Sequence, residues 1–347
     1  MTFSYAALAA FAQELLERSG VPSDKANLVA VSLTASNLRG VDSHGLQLLP
    51  QYLEQIKAGN IQPEANGHVI SESGACLLFD GERAFGQHVA AVCSDHAVRL
   101  SQTHGLGMAV ARESNHYGAA AFWSQRIADA GCIGITVCNA SSLVAPWQGK
   151  QPRLGTNPIS VAIPGPRRWL LDMATTTVAM NKIVNASLSG RETIPPGWAM
   201  DAEGNPTTST AVAIKGLLMP LGGYKGSGLA MMVEILCAVL SGGAMSTEVG
   251  GVYNRTKPMR TSQMFLSIDP TRFLPMDELV ERMTRLVAMM KSSAPAQGFD
   301  EVMVAGDPEW RIEEQRRRDG IPLSEGAWKA LCEAAASLSV PLPPPAS

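Results

Sequence analysis

GMAVARESNHYGAAAFWSQRIADAGCIGITVCNA, residues 107–140, holds the rhythm that decides the fold. GMAVARES is a short apolar run closing on polar residues, and GITVCNA (134–140) is another. Between them, Ala119 to Ala130 spaces its apolar residues as a helix does. Runs of about 4–8 apolar residues suit strands rather than helices, and strands alternating with a helix imply a sheet packed by helices.

The rhythm extends both ways. CLLFDG (76–81) predicts a strand, and Gln87 to Thr103 a helix ending before Gly105. ISVAIPG (159–165) and WLLDMA (169–174) predict two further strands. Upstream the chain reads as helical: Ser4 to Arg18, then Pro22 and Ser23 opening a helix to Leu38, then Leu46 to Ala58 closed by Gly59. Downstream, a Pro/Gly-rich stretch (193–208) precedes an apolar helix over Ser227 to Leu240. A strand (Met264 to Ile268), a helix (Met276 to Met290), a strand (Glu301 to Val304) and helices to Leu338 follow, and PLPPPAS (341–347) reads as an extended, loose tail. The expected organisation is a helical region over 1–72, an α/β unit over 73–310 with an inserted Pro/Gly-rich segment at 191–210, and C-terminal helices over 311–347 that pack back on the first region.

Composition narrows the function classes. Hydrophobic residues make up 46% and charged residues 17% of 347, the balance of a water-soluble globular chain. With a net charge of −3 and no long basic run, neither nucleic acid nor an anionic membrane is an expected partner. The densest basic point, Arg316 to Arg318, reads as a solvated helix face. No apolar run reaches the ~18 residues of a spanning helix. The acidic and basic residues within MTFSYAALAAFAQELLERSG predict a helix of the mature protein rather than a signal peptide. Six scattered cysteines in apolar settings suit reduced thiols in the cytoplasm.

Familiar site motifs are missing. Gly105-Leu-Gly107 and Gly226-Ser-Gly228 both lack the third glycine of G-x-G-x-x-G, and there is no phosphate loop of the G-x-x-x-x-G-K-[ST] type. LGGYKGSG (221–228) could still wrap an anion, with free N–H groups at a helix start beside Lys225. No HExxH or paired CxxC appears, so no metal is expected. GxSxG is absent too, and neighbouring helical side chains such as Ser43 and His44 diverge by about 100°, which speaks against a hydrolase. Two histidines stand in suggestive places: His44 in RGVDSHG and His116 where a strand gives way to a helix. Imidazole titrates near neutrality and suits proton transfer to a carbonyl.

Seven ordered segments carry a family resemblance: RGVDSHGLQLLPQYLEQIKAGNI (39–61), ESNHYGAAAFWSQRIADAGCIGI (113–135), APWQGKQPRLGTNPISVAIP (145–164), LDMATTTVA (171–179), IPPGWAMDAEGNPTT (194–208), PLGGYKGSGLAMMVEIL (220–236) and VMVAGDPEWR (302–311). Through them the chain resembles the malate/L-lactate dehydrogenase family of the non-Rossmann type. Its relatives include ureidoglycolate, sulfolactate and 2,3-diketogulonate oxidoreductases and the reductases of Δ1-piperideine- and Δ1-pyrroline-2-carboxylate. The resemblance implies a homodimer and a mixed sheet that holds NAD or NADP without a glycine fingerprint. It implies a reaction between a small 2-oxo acid and its 2-hydroxy acid, or alternatively reduction of a cyclic imine with NADPH.

The resemblance also implies site roles. His44 would pass the proton, Ser43 would orient it, and His116 is a second catalytic candidate. Tyr52, Thr156 and Lys182 would meet the carboxylate substrate. The cofactor would contact His116, Tyr117, Gly118, Ala119 and Ala120, then Asp172, Met173, Ala174, Thr175 and Thr176, then Lys225, Gly226, Gly306 and Asp307. Three departures stand out. Leu48 occupies a position where many relatives place an Arg, so the bidentate contact an Arg offers a carboxylate is missing there. Val184 stands near where the imine reductases carry a relay Asp, and Ala305-Gly306-Asp307 replaces a common Pro-Gly-Glu.

Overall fold

The structure is a computed structural model that describes residues 1–166 and 169–346. The chain opens with β1 (Thr2–Phe3), α1 (Tyr5–Arg18), α2 (Ser23–Leu38) and α3 (Leu49–Lys57). Ser4 starts α1 by accepting the Ala7 N–H at 3.2 Å. Then come β2 (His68–Ser73), β3 (Cys76–Asp80), α4 (Gly86–His104), β4 (Leu106–Ser114), α5 (Ala120–Asp129), β5 (Ile133–Cys138), β6 (Ile159–Ala162) and β7 (Leu170–Met173). A small lobe holds α6 (Met180–Leu188), β8 (Ala199–Met200), β9 (Pro206–Thr207), α7 (Thr210–Ala213) and β10 (Leu217–Leu218). The chain closes with α8 (Tyr224–Glu234), β11 (Thr261–Ile268), α9 (Met276–Lys291), α10 (Asp307–Asp319), β12 (Ile321–Pro322) and α11 (Glu325–Leu338).

Seven strands form one mixed sheet in the order β2-β3-β4-β11-β5-β6-β7. Only β3 and β4 pair in parallel; the other neighbours are antiparallel. The late strand β11 threads between β4 and β5, the two strands that α5 connects. Its pleat divides the core. Phe265 joins Ala109 and Ala111 against α4 and α5, while Met264, Val110 and Val137 face Val233 of α8 and Cys237 of its π-helical extension. The sheet is therefore covered on both faces, the α/β layering that the sequence predicts.

The N-terminal helices share one core with the end of the chain: Leu8, Leu15, Leu33 and Leu49 pack with Ile321, Leu331, Ala335 and Val340. Leu48 belongs to this core at 3% exposure.

Several expectations need correction. The boundary at residue 72 cuts the β2–β3 hairpin, whose strands pair directly. The Pro/Gly-rich segment 191–210 carries β8 and β9, and the lobe runs on past it to β10, which completes a three-stranded sheet. No strand forms over 301–304; Val304 instead donates to Asp307 Oδ2 at 3.0 Å and leads into α10. The tail over 341–346 is extended yet tied, with Pro343 buried and the Ala346 N–H bonded to Thr2 O at 2.8 Å; Ser347 lies outside the described residues. Arg316 is no solvated side chain either, being 14% exposed and paired with Asp42.

Candidate active site

The SHG segment forms a tight turn, Asp42–His44, ahead of α3. Its glycine has a steric reason: a Cβ on Gly45 would fall 2.2 Å from Asn37 Oδ1. That oxygen accepts the Leu46 N–H at 2.7 Å, and Asn37 Nδ2 donates to Asp42 Oδ1 at 2.6 Å. From α10, Arg316 grips both oxygens of Asp42 at 2.7 and 2.9 Å. A neutral amide and a bidentate guanidinium thus fix the turn that carries Ser43 and His44.

His44 and His116 meet across this turn. Their rings stack with centroids 5.6 Å apart and planes 21° apart. Ser43 Oγ lies 2.9 Å from His44 Nδ1. His116 follows β4 after an irregularity: Glu113 has φ +50°, and the β4–β11 register shifts between Thr261 and Gln263. Such bulges re-aim the chain at the end of a strand. Nδ1 of His116 receives the Gly118 N–H at 3.2 Å and lies 2.7 Å from Tyr52 Oη, which itself accepts Gln87 Nε2 at 3.2 Å. With that nitrogen accepting, the neutral ring carries its proton on Nε2.

Burial sets the charge of the pair. Surrounding protein lowers the His44 pKa below the usual 6.5, although the ring keeps an edge open to the cavity. Burial, followed by the charge of His44, lowers His116 to about 3. His116 is accordingly a fixed neutral ring, and His44 is the member able to exchange a proton with a bound molecule.

Both rings line a cavity of about 750 Å³ that also takes in Tyr117, Gly118 and Thr156. Thr156 is held there by its neighbours. Gly155 leaves no room for a Cβ against Ala140 O (2.4 Å), Asn157 donates to Ala230 O and Glu234 Oε2, and Thr156 O accepts both N and Oγ1 of Thr175 at 2.9 Å. Ser43 borders an adjoining recess of about 530 Å³ with Asn181, Val184 and Asn185 of α6.

Tyr52 does not line the cavity; it is 1% exposed and stands behind His116. Lys182 is exposed on α6 and lies outside both linings, because the helical period turns residues 181, 184 and 185 toward the recess instead.

The remaining candidate residues gather around β7. Asp172 Oδ2 accepts the Ala121 N–H at 3.0 Å at the start of α5, next to Ala119 and Ala120. Its carboxyl is raised to about 6 by the protein packed round it, against the Ala121 N–H, although the residue is open to solvent on one side. Met173 and Ala174 lead from β7 into Thr175 and Thr176, both buried. Thr175 O accepts Leu221 N at 2.9 Å, and a Cβ on Gly226 would fall 2.3 Å from Leu221 N and 2.6 Å from Thr175 O. Gly306, φ +94°, opens α10 against Leu170, whose N–H reaches Ala305 O. Asp307 spends its carboxylate on Lys291 Nζ (2.5 Å) and Val304 N, which leaves little of it for a ligand.

A dinucleotide fits this set. Lys225 is exposed in the first turn of α8, with no carboxylate paired to it among the described residues, and Gly226 lets backbone approach closely. Asn115, Thr261 and Gln263 line the cavity, and each carries a buried polar atom without a partner, as expected where a polar ligand completes the bonding. Among the described residues, no group of three or more His, Cys, Asp or Glu could hold a metal.

Sequence reasoning missed one wall of the cavity, the loop Gly250 to Thr256 ahead of β11. Its signal was only a run of turn formers, G-G-V-Y-N-R-T, which marks a loop and says nothing of where the loop lies.

Comparison with known proteins agrees with this architecture. The malate/L-lactate dehydrogenase family model matches residues 3–332. The L-sulfolactate dehydrogenase of Methanocaldococcus jannaschii is 35% identical over 321 residues, 92% of each chain. Its solved structure superposes with a TM-score of 0.93 at 33% identity, covering 99% of this chain and 98% of that one. The malate dehydrogenase of Pyrococcus horikoshii is 36% identical over 342 residues, 96% of this chain and 94% of its own. A Δ1-piperideine-2-carboxylate reductase from Pseudomonas syringae superposes at TM-score 0.84 with 26% identity, covering 96% of this chain and all of that one. The chain belongs to the malate/L-lactate dehydrogenase family of oxidoreductases.

Proposed function

We propose that this protein interconverts a small 2-oxo acid and its 2-hydroxy acid with NAD(P), His44 passing the proton. The observation that carries the reading is the stacked pair His44–His116 on one cavity wall, with Ser43 on one ring and Tyr52 and Gly118 on the other. When bound, the nicotinamide cofactor supplies or takes the hydride. Lys225, Gly226, Thr175 and Gly306 would hold it, together with the backbone of Tyr117 to Ala120. Protonated His44 gives its proton to the oxygen of a 2-oxo acid; neutral His44 takes it back from the hydroxyl in the reverse direction. Ser43 fixes the His44 ring, and neutral His116 offers an N–H to the same oxygen. Thr156 contributes a hydroxyl at the cavity wall.

Reduction of a cyclic imine is the second reading, supported by the likeness to the piperideine-2-carboxylate reductase. It has less in its favour, because α6 brings only Asn181, Val184 and Asn185 to the recess beside Ser43, and the one carboxylate that lines it, Asp42, is taken up by Arg316 and Asn37.

The protein acts as a homodimer in this reading. Tyr224, Met231, Ile235 and Val239 lie exposed along one side of α8 and its π-helical extension, an apolar stripe of the kind a second copy covers. Six free thiols, four of them buried, support a reducing cytoplasmic setting. Functionally, the turn-bearing helical region supplies the acid–base group and the sheet supplies the cofactor site. A panel of 2-oxo acids and cyclic imines against NADH and NADPH tests the assignment. Turnover of the imines without turnover of any 2-oxo acid would replace it with the second reading, and no turnover at all would remove both.

A further inference from the structure

We propose that Arg255 is the anion anchor of the His44 cavity, and that the cavity takes a 2-oxo acid whose carboxylate is its only charge. The inference rests on the 2-oxo acid reading above and deepens it to a substrate class.

Of the residues lining the cavity, Arg255 alone bears a permanent charge; no Asp, Glu or Lys joins it. Among the described residues no carboxylate pairs with it. Its guanidinium is held by two neutral acceptors, Gln51 Oε1 at 2.5 Å and Tyr253 O at 2.7 Å. Those contacts orient the group without neutralising it. A guanidinium has five N–H donors, so the two contacts leave donors for a two-oxygen anion.

The loop beneath it is stapled down. Gln55, wholly buried on α3, donates to Val252 O at 2.8 Å and Asn254 O at 2.9 Å. Asn60, 6% exposed, donates to Arg255 O at 3.0 Å and to Gln55 Oε1 at 2.7 Å. Two buried amides, bonded to each other, fix the backbone that carries Arg255 with three bonds, so little ordering is left to ligand binding. The same helix presents Gln51 to Arg255 and Tyr52 to His116, and so joins the cation to the proton-transfer pair.

The rest of the wall sets the tail. Leu143, Pro158, Val252 and Met259 make part of the wall apolar. Apart from the histidine pair, the polar residues beside them are uncharged amides and hydroxyls, and the lining holds no second Lys or Arg for a second carboxylate or a sulfonate. Arg255 and its neighbours Tyr253 to Thr256 are exposed at the cavity rim, and a second negative charge drawn past them into the cavity would meet no cation, so a dianion is disfavoured. Malate and sulfolactate, named for two relatives, are dianions.

The test compares the full-length wild type with R255Q and R255K. Turnover is followed with pyruvate, 2-oxobutanoate, 2-oxopentanoate and oxaloacetate, and calorimetry follows oxamate, an unreactive isostere of pyruvate, on the NADH-bound protein. The expected result is that wild type favours the neutral-tailed acids over oxaloacetate by about tenfold or more in kcat/KM. R255Q loses about 100-fold, mainly through KM, while NADH affinity holds within about twofold and R255K recovers part of the loss. Unchanged KM in R255Q, or a loss of NADH affinity in place of substrate affinity, overturns the anchor. A wild-type preference for oxaloacetate overturns the single-charge class. If wild type reduces no 2-oxo acid, the parent reading fails separately, and oxamate then decides the anchor: equal binding to both proteins, or to neither, overturns it.

Discussion

Tyr52 Oη and His116 Nδ1 lie 2.7 Å apart, and that single contact ties α3 to the end of β4. Gln87 Nε2 donates to the same phenol oxygen, which leaves the phenol proton to point at the imidazole. Two donors, Tyr52 and Gly118, thereby converge on one ring nitrogen, and protonating that nitrogen would expel one of them. The geometry and the burial act in the same direction, toward a neutral His116.

Tyr52→Phe removes the phenol proton and strands Gln87 Nε2. Stability should fall by about 1–2 kcal/mol, the cost of a buried donor left unpaired. With one donor gone from Nδ1, the His116 titration should rise from about 3. Urea unfolding checks the first, and an NMR titration of the histidine ring protons checks the second. A His116 titration that does not move would show that burial alone fixes its charge.

On the proposed role of His44 as the proton carrier, His44→Ala should lower kcat by about 10²–10⁴ with NAD(P)H affinity within a few fold. Ser43→Ala should cost less, about tenfold, because its hydroxyl only orients Nδ1. Steady-state kinetics with cofactor fluorescence titration separates the two effects. Near-normal turnover by His44→Ala would remove His44 from the chemistry.

How much of this was legible beforehand follows from what kind of interaction each feature rests on. The strands β3 to β7 and the helices between them could be read because their apolar periods are local. The position of β11 could not, since inserting a strand between two others is a matter of pairing across more than 120 residues of chain, and nothing in TSQMFLSI records its neighbours. His44 was conspicuous in its motif. Tyr52 was singled out as a substrate contact; it lies on α3, beyond the extended Gly45 that follows His44, and only the packing of α3 shows that it faces His116. Arg316 read as surface because a run of three arginines normally is, while its partner Asp42 lies 274 residues away. Arg255 gave no signal at all, being one cation in a loop of turn formers.

The pH profile should have opposite limbs in the two directions. Burial lowers the His44 pKa below 6.5, so the neutral ring prevails at pH 7 and above. Hydroxy acid oxidation needs that neutral ring: kcat/KM should be flat above pH 7 and fall as pH drops through the lowered pKa. Reduction of the 2-oxo acid needs the imidazolium, so its kcat/KM should fall by up to about tenfold per unit as pH rises above that pKa. Stability follows the same sign. The depressed His116 favours the fold fully above the unfolded value of 6.5, and that advantage is lost as pH falls toward about 3. Denaturant midpoints at pH 7.5 and 5, for wild type and His116→Gln, test this: the variant should lose less on acidification.

Gly226→Ala should damage cofactor binding and fold together. Its added methyl would sit 2.3 Å from Leu221 N and 2.6 Å from Thr175 O, both backbone atoms that cannot swing away. Relief requires moving the Thr175 or Leu221 segment, at a cost of about 1–3 kcal/mol. The expected signature is a rise of tenfold or more in NAD(P)H Kd with a lowered Tm. Gly228→Ala, where a Cβ meets nothing within 4 Å, is the matched control and should leave both unchanged.

Arg316 is the test of whether α10 serves the active-site turn or merely covers it. Its guanidinium binds both oxygens of Asp42 and also donates to Asn37 O, while Asn37 itself bonds Asp42 and Leu46 on either side of Ser43 and His44. Removing the side chain leaves Asp42 with a single neutral donor and the turn with one support fewer. Arg316→Ala should therefore lower kcat by about tenfold while the KM for cofactor stays near wild type, because no cofactor-holding segment is touched. Arg316→Lys should recover little, since an ammonium cannot span two carboxylate oxygens. Asp42→Asn should give a similar loss, and the double variant should be no worse than either single one, a coupling of about 1–2 kcal/mol in the cycle. Additive losses in kcat would mean that Arg316 and Asp42 act on the site separately, and that the turn is held by Asn37 alone.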